Sequence, residues 1–140
     1  MNAPGRGPRL LIVSCRILVG LVMLAAALGK IGDPATFASQ IHHFRLIPVA
    51  GENLLAMTLP WIELLAGLGL TLSVRPRSAA WLSTAMMVVF TIAVGAALAR
   101  KLDIECGCFG TADATRVGMK KLLEDLALTA AAVVASLRAR

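Results

Sequence analysis

Three long apolar runs dominate the pattern of the chain. Residues 10–31 are apolar except for Ser14, Cys15, Arg16 and Lys30; residues 54–74 hold Glu63 as their only charge; residues 78–99 hold none. As helices rising about 1.5 Å per residue, each is long enough to cross a hydrocarbon core of about 30 Å. A fourth run, residues 119–137, carries Glu124 and Asp125 near its start and is Ala-rich beyond them. It would reach roughly 28 Å. No strand-like alternation interrupts the pattern, and in lipid only helices and closed barrels satisfy the backbone. The expectation is an all-α integral membrane protein, one domain over residues 1–140 built as a four-helix transmembrane bundle. Between the first two spans, Gly32, Asp33 and Pro34 end the helix. Phe37, Ile41, Phe44 and Leu46, set among Gln40, His42, His43 and Arg45, then predict a short interfacial helix in the first outer loop.

Composition points the same way. Hydrophobic residues make up 58% of the chain and charged residues 16%, against about 45–50% and about 25% in soluble domains. The lipid bilayer is the expected solvent. The net charge of +6 comes from basic residues that lie between the runs rather than in a stripe, which excludes nucleic acid as a natural partner. Arg6 and Arg9 ahead of the first run, with Ala25, Ala26 and Ala27 inside it, look like a secretory leader. The run exceeds the ~7–15 residues of a leader's apolar region, so a retained span is expected. The short basic segments (Arg6 and Arg9; Arg75 and Arg77; Arg138 and Arg140) place both termini in the cytoplasm and the two longer loops outside.

The second outer loop carries the distinctive chemistry, Cys106-Gly107-Cys108 followed by Phe109-Gly110. A disulfide across one intervening residue is confined to a tight ring, and such a pair suits exchange better than permanent stapling. Three readings stay open: a redox pair, half of a metal site, and two unreactive thiols. A position in a polar loop favours sulfurs that a partner can reach, and Phe109 would roof the pair or anchor the loop at the interface. Cys15, alone in the first span, reads as a buried thiol packing as a small hydrophobe.

Ionisable groups inside the spans turn toward the bundle interior or a partner. Arg16 and Glu63 are the candidates for an intramembrane polar pair, setting helix register or holding a polar group. Lys30 is expected to snorkel to the outer surface, and Glu124 and Asp125 to favour the first turn of the last helix. Gly20, Ala25 and Gly29, with Gly67 and Gly69, allow close helix approach. Met23, Met57, Met86 and Met87 read as core filler, and His42 and His43 as interfacial residues rather than metal ligands.

Taken in order, Arg16, Gly20, Lys30, Pro34, Phe37, Leu46, Pro48, the segment Leu59-Pro60-Trp61-Ile62-Glu63-Leu64, Gly67 and the terminal Cys106-Gly107-Cys108-Phe109-Gly110 resemble the methylamine-utilisation MauE family within the DoxX-like membrane proteins. The resemblance implies a four-helix membrane protein associated with thiol redox. It further implies a role in processing, transport or maturation of the disulfide-rich small subunit of methylamine dehydrogenase, beside a thioredoxin-like partner. Combined with the residues, it leads to one expectation: Cys106 and Cys108 act as a thiol-disulfide oxidoreductase pair on an exported client, while Arg16 and Glu63 hold the packing or a quinone-type electron acceptor. The alternatives are a metal-binding module that adds His42 or His43 to the cysteines, and a non-catalytic assembly subunit.

Overall fold

The computed structural model describes residues 5–108 and 115–137. These residues form five helices: α1 (Arg6–Ile31), α2 (Pro34–Phe44), α3 (Val49–Thr71), α4 (Pro76–Ala99) and α5 (Met119–Leu137). Among the described residues no strand occurs, and the one isolated β-bridge joins Glu105 to Arg116. Three helices, α1, α3 and α4, are long and apolar enough to cross a membrane. The bounds of α5 are those expected from the sequence, but Lys120, Lys121, Glu124 and Asp125 crowd its first turns.

Local chemistry sets the breaks. At Gly32-Asp33-Pro34 the chain leaves α1, and the Asp33 carboxylate accepts the Thr36 backbone N–H at 3.0 Å and its hydroxyl at 2.7 Å. With Pro34 fixed at the first turn of α2, this is a capped helix start. Arg45 ends α2 in the left-handed region. Ser73 and Arg75 also take positive φ, closing the short turn ahead of Pro76. Threonine hydroxyls within the long helices bond back to the carbonyl four residues earlier, as Thr58, Thr84 and Thr91 do at 2.8 Å. That bond satisfies a hydroxyl in surroundings that offer no water.

The packing divides into two regions. In one, Val19, Met23, Ala66, Leu70, Ala79, Ala80, Ala132 and Ala135 form a core of mostly small side chains between α1, α3, α4 and α5. Its tightest point is Gly67, where a Cβ would lie 2.9 Å from the Gly20 carbonyl oxygen and 2.9 Å from Leu24 Cγ. In the other, Phe44, Val94, Ala97, Cys106 and Cys108 are packed together, with Phe90, Leu102, Ile104 and Leu122 around them. Large apolar side chains such as Leu10, Leu28, Leu54, Trp61, Leu65 and Val89 cover the outside, the arrangement expected of a lipid-facing surface. Met57 belongs to that surface, not to the core.

The glycine contact also fixes the register of α1 against α3. Gly20 lies against Gly67, Leu70 and Thr71, so the two antiparallel helices are staggered. The residue level with Glu63 is then Lys30. The expected partnership of Arg16 with Glu63 is therefore not formed, because aligning the helices end to end misses the stagger. Lys30 does not snorkel either: it is 2% exposed and bonds to Glu63 at 2.6 Å.

Candidate functional site

The Cys-Gly-Cys segment is held on three sides. Behind it, Cys106 N–H donates to the Thr115 carbonyl at 2.9 Å and Val117 N–H to the Ile104 carbonyl at 2.9 Å, closing the loop like a hairpin. Arg116 reinforces the closure through Asp103 at 2.8 Å. Above it lies α2. Gly107 has φ 67°, a backbone conformation that favours glycine, and a Cβ there would meet Gln40 Oε1 at 2.6 Å, so the Gln40 side chain would have to move aside. Arg100 ties the end of α4 to α2 by donating to the Phe44 carbonyl at 3.0 Å. Phe109 and Gly110, the other residues singled out in this loop, lie outside the described residues.

Cys106 and Cys108 form an adjacent sulfur pair, with Cα atoms 5.5 Å apart. They are 1% and 9% exposed, which corrects the expectation of two open sulfurs: Phe44, Val94 and Ala97 close over a loop that reads as polar in sequence. Beneath them stands Asp125. One of its carboxylate oxygens and both sulfurs lie within 4.8 Å of one another, and all three residues are buried. Lys121, one turn earlier on α5 and also buried, comes within 3.7 Å of the same carboxylate. Asp125 thus faces the sulfurs from the second turn of α5 and does not serve the helix start. In sequence only its spacing from Lys121 hinted at an inward pair; nothing there tied it to the cysteines. Cys15 stays apart from this site as a free, half-buried thiol.

A second polar group lies between α1 and α3, where Lys30 is bonded to Glu63 and sits 5.0 Å from the centre of the Phe37 ring. Glu63 Oε2 is buried with no hydrogen-bond partner among the described residues, as is Asp125 Oδ2. Arg16 Nε is likewise buried and unpartnered, one turn before Gly20. The two histidines are not drawn to the cysteines: His42 Nδ1 lies 3.1 Å from both carboxylate oxygens of Glu52, and His43 is exposed. A cavity of about 560 Å³ runs past both polar groups, with Lys30 and Glu63, Gln40, Cys106 and Cys108, and Lys121 and Asp125 on a wall that is apolar elsewhere.

The chain was also compared with known proteins. The family model described as methylamine utilisation protein MauE matches residues 8–138. Three relatives carry the name methylamine utilization protein MauE. The protein from Paracoccus denitrificans is 31% identical over 84% of this chain and 64% of its own length. Its counterpart in Methylorubrum extorquens is 36% identical over 77% of this chain and 55% of its own. In Methylophilus methylotrophus the match is 30% identical over 80% of this chain and 60% of the relative. The chain therefore spans a little over half to about two thirds of the length of these relatives. No solved structure matches it. A match over nearly every residue, joined to helices long and apolar enough for a bilayer, makes this chain a member of the methylamine utilisation protein MauE family.

Proposed function

We propose that this chain is a membrane thiol-disulfide redox protein that serves an exported partner in methylamine utilisation. The single observation that carries the reading is the paired sulfurs of Cys106 and Cys108 set beside the buried pair Asp125 and Lys121. Exchange needs a nearby group that takes or returns a thiol proton and a positive charge that favours the departing thiolate; Asp125 and Lys121 supply them. A partner thiolate attacks Cys108, the more exposed residue of the pair. The Cys106–Cys108 bond breaks, Cys106 leaves as a thiolate, and a mixed disulfide joins Cys108 to the partner. The partner's second thiolate then releases its own disulfide and leaves both cysteines reduced.

In this reading α1, α3, α4 and α5 cross the bilayer as one domain and α2 lies at the outer interface. Both ends face the cytoplasm and the Cys-Gly-Cys loop faces outward. The family supports a thioredoxin-like protein or the disulfide-rich small subunit of methylamine dehydrogenase as the partner. Arg16 and Glu63 act separately here, Arg16 near the inner side and Glu63 with Lys30. Trapping tests the reading: Cys106→Ser should accumulate a mixed disulfide with an exported protein through Cys108, and Cys108→Ser should accumulate much less. No thiol-dependent adduct in either variant would overturn it.

A second reading rests on the same three buried side chains, since Cys106, Cys108 and Asp125 present three donors to one point. A thiophilic metal would need both cysteines reduced and would compete with Lys121 for Asp125. Stoichiometric zinc or copper uptake by the reduced protein, lost in Asp125→Asn, would favour it over exchange.

A further inference from the structure

We infer that the cavity beside the sulfur pair is a binding site for a membrane quinone, which takes up the electrons that the cysteines collect. This rests on the reading of Cys106 and Cys108 as the redox centre and adds the chemical class of the electron acceptor. The first ground is where the sulfurs face. Both are buried and stand in the wall of a cavity formed chiefly by Met23, Phe44, Met86, Phe90 and their apolar neighbours. A water-soluble oxidant has no reason to enter such a space, whereas an apolar ring does. At about 560 Å³, the cavity falls within the roughly 300–1,000 Å³ of small-molecule sites.

The second ground separates a quinone from the lipid tails that surround any membrane protein. Two carboxylate oxygens of cavity-lining residues, Glu63 Oε2 and Asp125 Oδ2, are buried without a donor. A buried polar atom left unpaired is costly, and an acyl chain offers nothing to pair with it. A quinol offers a hydroxyl at each end of its ring, and each donates to a carboxylate. The Lys30 ammonium, already bonded to Glu63, lies on the same wall and is a donor suited to the carbonyl of the oxidised ring. The site therefore has donors for one redox form and acceptors for the other.

The step balances. The two S–H bonds of Cys106 and Cys108 break and one S–S bond forms. Two electrons and two protons pass to the quinone, whose two carbonyls become the hydroxyls of the quinol. The Asp125 carboxylate beside the sulfurs takes the first thiol proton and hands it to the reduced ring. The disulfide is thereby restored for the next partner.

The test uses the full chain in nanodiscs of dioleoyl phosphatidylcholine, with decylubiquinone as the probe. Reduced protein mixed anaerobically with decylubiquinone should lose two thiols for each quinol formed. The Cys106→Ser/Cys108→Ser double variant should still bind the probe but reduce none of it. Glu63→Gln and Asp125→Asn should each weaken binding about tenfold. Met86→Trp, which fills the cavity, should abolish binding while leaving the helical content and the Cys108 adduct of Cys106→Ser intact. Failure of decylubiquinone to bind, or binding without loss of thiols, would overturn the inference. So would affinity unchanged in all three cavity variants, the result expected if the probe merely dissolves among lipids. If the adduct forms but the quinone does not bind, the exchange reading stands and the quinone site falls; if the quinone oxidises the dithiol but no adduct forms, the reverse holds.

Discussion

The two packed regions of this molecule are built on opposite rules. Where Val19, Ala66, Leu70, Ala80, Ala132 and Ala135 meet, mostly small side chains let α1, α3, α4 and α5 approach closely, and the buried polar groups on α4 and α5 there are the uncharged Ser83, Thr84 and Ser136. Around Cys106 and Cys108, the contact is between a loop, the ends of α2 and α4 and the start of α5, and Gln40, Lys121 and Asp125 are buried beside them, with the Lys30–Glu63 pair of α1 and α3 on the same cavity wall. Without a hydrophobic drive between helices in lipid, close van der Waals packing gives the first region its cohesion. The second region buries charges at a cost that their pairing only partly offsets. The contrast separates a scaffold of small side chains from a charged end that carries the two cysteines.

The sharpest way to break the contrast is to unbalance the ion pair. Lys30→Met should cost about 3–5 kcal/mol by leaving Glu63 charged and alone, and the Lys30→Met/Glu63→Leu double variant should recover most of that loss. Denaturant unfolding in detergent measures both. A double variant no more stable than Lys30→Met would mean that the pair itself does not set the cost. Next comes the scaffold: Gly67→Ala forces a Cβ onto the Gly20 carbonyl and should destabilise by about 1–3 kcal/mol. Its trapping yield at Cys108 should stay at the wild-type level, because the strain sits in the other region.

Gly107→Ala should cost less, about 1–2 kcal/mol for its left-handed backbone, but should change the rate of thiol trapping severalfold. Adding Gln40→Ala should return part of the loss, that due to crowding, and leave the backbone part; a double-mutant cycle reads the coupling. The smallest effect concerns α2. The Thr36 N–H, followed by its hydroxyl, holds the Asp33 carboxyl below the usual aspartate range. A lowered folded value means that the cap is fully stabilising above the ordinary value and is lost as pH falls through the lower one. Hydrogen exchange of the α2 amides should therefore accelerate on acidification, and Asp33→Asn should flatten that dependence.

Much of the scaffold was legible because its signals are local. Apolar runs, the Gly32-Asp33-Pro34 break and the glycines mark helices and contacts without reference to distant residues, and the last helix runs over the residues expected for it. The starts of α1 and α3 fall several residues earlier, since Arg6 and Val49 extend helices whose apolar cores begin later. The charged end was legible only in its cysteines. Lys30 looked like an end-of-span lysine because a sequence shows position along a helix, not the stagger between two helices. Asp125 looked like a helix-start residue because the sulfurs it faces lie in a separate loop. Such pairings depend on three-dimensional register, which no run of residue types encodes.

The absence of room for a side chain beneath Gln40 has a mechanical consequence. Since the Gln40 side chain of α2 packs against the peptide that links the two sulfurs, a shift of either is passed to the other. A displacement of Gln40 is therefore felt first at the peptide between Cys106 and Cys108, through a single point of touch.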